Sequence, residues 1–166
     1  MTKIRKFSLV YDAGEDRVAW DAEGVDGAVT RIWLTQRFCR EFVGALIPRL
    51  PKPIAADVAP EHEAAVQGWE QAAAMSGFGK TPGVRVTAEA SVGLVRAVHV
   101  TPTRVGLSLA FEFGAGETRG IDLDVAAVRQ MLRVMYDLHI RAEWPTTFWP
   151  NWISEPAATE TAGALN

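Results

Sequence analysis

Val105-Gly106-Leu107-Ser108-Leu109-Ala110-Phe111-Glu112-Phe113 sets an apolar side chain at every second position. A period of two marks a strand with one buried face. Gly114-Ala115-Gly116 follows as a turn, and Arg119 to Leu123 returns with Ile121 and Leu123 inward. Asp124 then stands where a helix needs its N-cap, and Val125, Val128, Met131, Leu132, Met135 and Leu138 recur at helical spacing. This is the most apolar helix of the chain and is expected to be central. Val92 to Thr101, ended by Pro102, supplies a strand before the quoted one. Val84, Val86 and Ala88 alternate with Arg85, Thr87 and Glu89, which predicts a further half-buried strand.

The same order occurs upstream. Ile4 to Asp12 places Phe7, Leu9 and Tyr11 on one face. Ala13 to Asp16 is a turn, and Arg17 to Ala22 brings Val18 and Trp20 back. After Gly24 to Gly27, Val29 to Leu34 points Ile32 and Leu34 inward and Trp33 outward. Connections this short imply an antiparallel meander. Thr35 caps a helix from Gln36 to Leu50 whose apolar face holds Phe38, Cys39, Phe42, Val43, Leu46, Ile47 and Leu50, with Pro51 and Pro53 beyond it. A second helix from Pro60 to about Met75 carries Ala65, Val66, Trp69, Ala72 and Ala73 on its apolar side.

A shift of 89 positions lays Ile32-Trp33-Leu34-Thr35 on Ile121-Asp122-Leu123-Asp124 and Arg40 on Arg129. This is the pattern of an internal duplication. The expected fold class is therefore α+β: two antiparallel strand meanders, each followed by a helix, with an extra helix between them. Residues 1–153 are expected to form a single domain, with Ser154 to Asn166 as a disordered tail. The order of elements resembles that of the head domains of the DNA end-joining scaffold and centriolar cartwheel superfamily, where a helical pair interrupts a strand meander. It is also similar to that of the single-stranded-DNA-binding whirly proteins. Neither likeness is carried by a motif, so no residue role is transferred.

Composition narrows the function classes. Of 166 residues, 48% are hydrophobic and 22% charged, and the net charge is −3, which sets a general nucleic-acid binder behind other readings. Cys39 is the only cysteine, so no disulfide framework or thiolate zinc site is expected. No apolar h-region follows the charged start, and no run is long enough to span a bilayer, so a cytoplasmic location is expected.

The usual chemical signatures are weak. Gly79-Lys80-Thr81 lacks the earlier glycine and the preceding strand of a phosphate-binding loop. Glu61-His62-Glu63 are adjacent on a helix and point apart, and His99 and His139 share no ligand spacing. His139 lies near a helix C-terminus, where a cation is favoured. Asp122 reads as an outward strand residue and Asp124 as a cap. Cys39, among apolar neighbours, reads as packing. No catalytic residue, metal or cofactor is expected.

Two groups remain. Arg37, Arg40, Arg129 and Arg133 are read as an exposed stripe able to contact phosphates. Trp144, Phe148, Trp149 and Trp152 concentrate apolar area that must be buried, either on this chain's own core or on a partner. The expected function is that of a non-enzymatic interaction or assembly protein, a homodimer or bound to another protein, with no membrane. The alternative is a module binding single-stranded DNA or RNA through the arginines. A small-molecule-binding protein or enzyme is third, since a pocket is invisible in sequence.

Overall fold

A computed structural model describes residues 2–51, 59–79 and 82–155. Its elements are β1 (Thr2–Asp12), β2 (Arg17–Gly24), β3 (Val29–Leu34), α1 (Gln36–Leu46), α2 (Pro60–Ser76), β4 (Ser91–Pro102), β5 (Gly106–Phe113), β6 (Glu117–Asp124), α3 (Val125–Arg141) and α4 (Asn151–Ser154). Each meander is antiparallel within itself, and the two close into one six-stranded barrel. Closure runs through two parallel seams. Thr30 to Trp33 pair with Ser91 to Leu94, and Arg119 and Gly120 pair with Thr2 and Lys3. The meanders were readable from the sequence, but their union into a barrel was not. Closure removes the sheet edges that separate meanders would expose.

The β3–β4 seam stops where β3 ends, the β1–β6 seam stops at Gly120 where the two strands part, and both β3 and β6 run straight into a helix. Thr35 Oγ1 accepts from the Phe38 N–H at 3.2 Å, and Asp124 Oδ1 accepts from the Ala127 N–H at 2.7 Å. Both are N-caps, as the sequence indicates. β4 and β1 continue past those points, with α1 beside β4 and α3 beside β1, β5 and β6. Gly106 lies under this arrangement, because a Cβ there would come within 2.0 Å of the Leu123 carbonyl oxygen.

The inward rows of all six strands and the apolar faces of α1 and α3 share one core. Trp20 of β2 is fully buried inside it. Its ring centroid lies 4.6 Å from Phe7, 4.3 Å from Phe111 and 6.3 Å from Phe42. One indole thus joins both meanders to α1.

Several expectations change. α1 stops at Leu46 and passes into a 3-10 turn, Ile47–Arg49, because Pro48 cannot donate to a longer helix. Pro82 to Ala90 form no strand, and the alternation of Val84, Val86 and Ala88 belongs to an extended connection. Val84 donates its N–H to Ser8 Oγ at 3.0 Å on β1, whereas Ser91 already pairs with β3. Val105 lies before β5 and is 63% exposed. α2 buries Gly68, Gln71 and Ala74 and leaves Trp69 63% exposed. Its orientation is set by Gln71, whose Nε2 donates to the Arg129 carbonyl at 3.0 Å. The expected breaker Pro53 and residues 156–166 of the expected tail lie outside the described residues. No helix among the described residues is long and apolar enough to cross a membrane.

Trp20→Ala should lower unfolding free energy by about 3–5 kcal/mol, the cost of a large core truncation. Val105→Ala should change it by less than about 0.5 kcal/mol, as for an exposed site. Urea denaturation of both variants checks the pair, and equal losses would contradict the barrel interior described above.

Candidate functional site

α3 ends in a chain reversal. Glu143 adopts φ 56°, the Glu143 N–H donates to the Ile140 carbonyl at 3.1 Å and the Trp144 N–H to the His139 carbonyl at 3.0 Å. This is a Schellman closure with glutamate where glycine is usual. It folds the aromatic segment back along α3. Trp144 Nε1 donates to Asp16 Oδ1 at 3.0 Å, and the Tyr11 hydroxyl donates to the same oxygen at 2.8 Å. Arg133 Nη1 donates to the Ile153 carbonyl at 3.1 Å. Trp144, Trp149 and Ile153 are buried, and Phe148 and Trp152 are half-buried against the same core. The four aromatics, Trp144, Phe148, Trp149 and Trp152, for which the sequence left own core or partner open, are thus packed on their own chain.

His139 sits at the centre of this wrap. The rings of Trp144, Phe148 and Trp149 stand edge-on to it at 5.2, 5.7 and 5.2 Å. Its Nδ1–H donates to the Met135 carbonyl at 2.7 Å, and Nε2 has no hydrogen-bond partner. Burial pulls its pKa below the usual 6.5, with the Met135 bond opposing. The sequence placed a cation here, but the desolvation of a 1% exposed ring outweighs the helix dipole. Its spacing of four from Met135 was the available signal for burial.

The arginines separate into different roles. Arg129, expected to be exposed, is 1% exposed. It pairs with Glu70, and its guanidinium lies 5.2 Å from the Trp152 ring, so it clamps α2 and α4 onto α3. Desolvation lowers its pKa, and Glu70 counters that. Arg133 pairs with Asp137 at 3.0 Å and Arg37 with Glu41 at 3.0 Å. Arg40 is exposed and makes no ion pair among the described residues. Arg37 and Arg40 line a recess of about 390 Å³ together with Gln36, His139, Thr147 and Phe148. The stripe therefore reduces to one pair on α1.

A second cavity, about 490 Å³, opens where β1 and β6 diverge, lined by Phe7, Leu9, Leu123, Met131 and Phe78 among others. On the opposite side of the sheet, the barrel exterior carries a cross-strand row. Val10 pairs with Ala19, Ala19 with Trp33, and Trp33 with Leu94. Val92 lies beside it in register with Arg31. Val10, Val92 and Leu94 are 46%, 56% and 44% exposed. Asp21 holds Arg31 through bonds of 2.7 and 2.8 Å, and the Arg31 guanidinium stacks 5.1 Å from the Trp33 ring. The corresponding row of the second meander is Thr101, Ser108 and Asp122, with Lys3 on Asp122 at 2.9 Å.

Nucleophilic and metal chemistry find little footing. Cys39 is fully buried, and desolvation pushes its thiol pKa up to about 12. Lys3 and Ser108 hold the Asp122 carboxyl below its ordinary value, and Asp124 is engaged as a cap. No group of three or more His, Cys, Asp or Glu able to hold a metal occurs among the described residues. Glu61, His62 and Glu63 are exposed on α2, and Lys80 and Thr81 lie outside the described residues. No family model, curated protein or solved structure matches the chain.

The His139 environment fixes a pH dependence. The folded pKa is depressed below 6.5, so the unfolded chain takes up the proton first as pH falls. The contribution is complete above that value and declines below it. The melting temperature should therefore drop between about pH 7 and pH 5 more in the native chain than in His139→Phe, where nothing titrates at this position. Parallel curves for the two proteins would contradict a neutral, buried imidazole.

Proposed function

We propose that the chain is a non-enzymatic assembly protein that self-associates through the outer face formed by its first meander and the start of β4. The observation that carries this reading is the contrast between the barrel's two outer faces. One bears Val10, Trp33, Leu94 and Val92, and the other bears Thr101, Ser108 and an ion-paired Asp122. Both faces rest on the same backbone ladders, so barrel formation gives no reason for the apolar one. The occupant is a second copy of this chain. The acid and base beside the apolar row, Asp21 and Arg31, are held as a mutual pair, so that the row meets its own copy without like-charge repulsion from them. A tryptophan at the centre of an apolar row suits an interface anchor.

Two companion readings go with it. The β2 and β5 spans begin at 17 and 106 and the helices α1 and α3 at 36 and 125, a constant offset of 89 that supports duplication of one meander–helix unit. A cytoplasmic setting fits the lone buried Cys39.

Sedimentation velocity should show a concentration-dependent dimer with a dissociation constant in about the micromolar range. Trp33→Glu should leave a folded monomer, and Thr101→Glu on the opposite face should leave the dimer intact. A wild-type monomer at about 100 μM, a concentration well above that constant, would overturn the reading.

A further inference from the structure

We propose that the recess between the start of α1 and the C-terminal segment binds a phosphomonoester through Arg37, Arg40 and Thr147. Arg37 and Arg40 are three residues apart on α1 and line the same recess. Arg40 has no ion-pair partner among the described residues. The partner of Arg37, Glu41, forms an exposed pair that rearranges at small cost. Gln36 and Arg37 lie in the first turn of an 11-residue helix, whose backbone N–H groups at these positions lack intrahelical acceptors. Two guanidiniums, a hydroxyl and these amides suit a dianionic group with three peripheral oxygens better than a carboxylate with two.

The opposite wall indicates an organic moiety. Pro145 and Phe148 give the recess an apolar side, and His139 forms part of its lining. His139 is 1% exposed, and its Nε2 holds a lone pair without a donor. A hydroxyl on the carbon skeleton of the ligand would supply that donor once Phe148, which is only half-buried, turns aside. The site is independent of the self-association proposed above, because none of its residues belongs to the Trp33 face.

Titration calorimetry of the full chain with glycerol phosphate and with inorganic phosphate, at fixed ionic strength, tests the assignment. Saturable binding of one glycerol phosphate per chain is expected in about the millimolar range or tighter. R37Q and R40Q should each weaken it about tenfold or more, the loss expected for a charge-assisted hydrogen bond. Neither substitution should change the sedimentation of the protein. Inorganic phosphate should bind more weakly than glycerol phosphate, and equal or tighter binding would overturn the organic-ligand assignment. No saturable heat, or binding unchanged in both variants, would overturn the site. An oligonucleotide without terminal phosphates that competes on equal terms would also overturn it, in favour of a phosphodiester backbone.

Discussion

Trp20 fills the space on which the remaining packing is built. Its indole is in contact range of Phe7 on its own meander, Phe111 on the other and Phe42 on α1. Burying so large a ring in a six-stranded barrel requires small or flat neighbours. Ala22, two residues along β2 on the same face, and Phe7 across from it supply one of each. The indole N–H finds no partner there, a cost that the apolar and aromatic contacts must outweigh. With Phe42 held against Trp20, α1 is fixed in rotation. Its opposite side then presents Arg37 and Arg40 to solvent beside the C-terminal segment. The position of two surface arginines is thus settled by a ring in the core.

Local signals were legible where one residue type determined one geometry. The alternation of Leu107, Leu109, Phe111 and Phe113 gave a strand whose four inward residues are all buried. Thr35 and Asp124 gave two caps that the structure contains. The barrel was not legible, because parallel seams are backbone pairings between residues far apart, such as Thr2 with Arg119. No side-chain pattern encodes those partners. The Val84 to Ala88 alternation misled for a related reason: a connection beside β1 half-buries Val84 and Val86 without a ladder, and Ala88 is exposed.

Trp144, Phe148, Trp149 and Trp152 stand out in the sequence as area that must be buried, but the sequence leaves open which surface they cover. The choice was made by Glu143, whose positive φ turns the chain back, and a glutamate gives no warning of that conformation. The sequence reads Arg129 as part of an exposed stripe with Arg133 and as the equivalent of Arg40. Its burial depends on α2, a helix whose inward residues Gly68, Gln71 and Ala74 carry almost no hydrophobic signal. Arg37 and Arg40 were identified, but their recess needs Thr147 and Phe148 from a distant stretch.

The seam between β1 and β6 also sets an order of events. A ribosome delivers Thr2 and Lys3 long before Arg119 and Gly120, the residues they pair with. Through that interval the first meander has Phe7, Leu9 and Trp20 on a face that only later segments will cover. Non-local pairings are slow to form, and unpaired strand edges attract other chains. The nascent first half therefore carries an uncovered apolar face and an unpaired β1 edge. Both are covered only once β6 and α3 have been synthesised, not on completion of the first three strands.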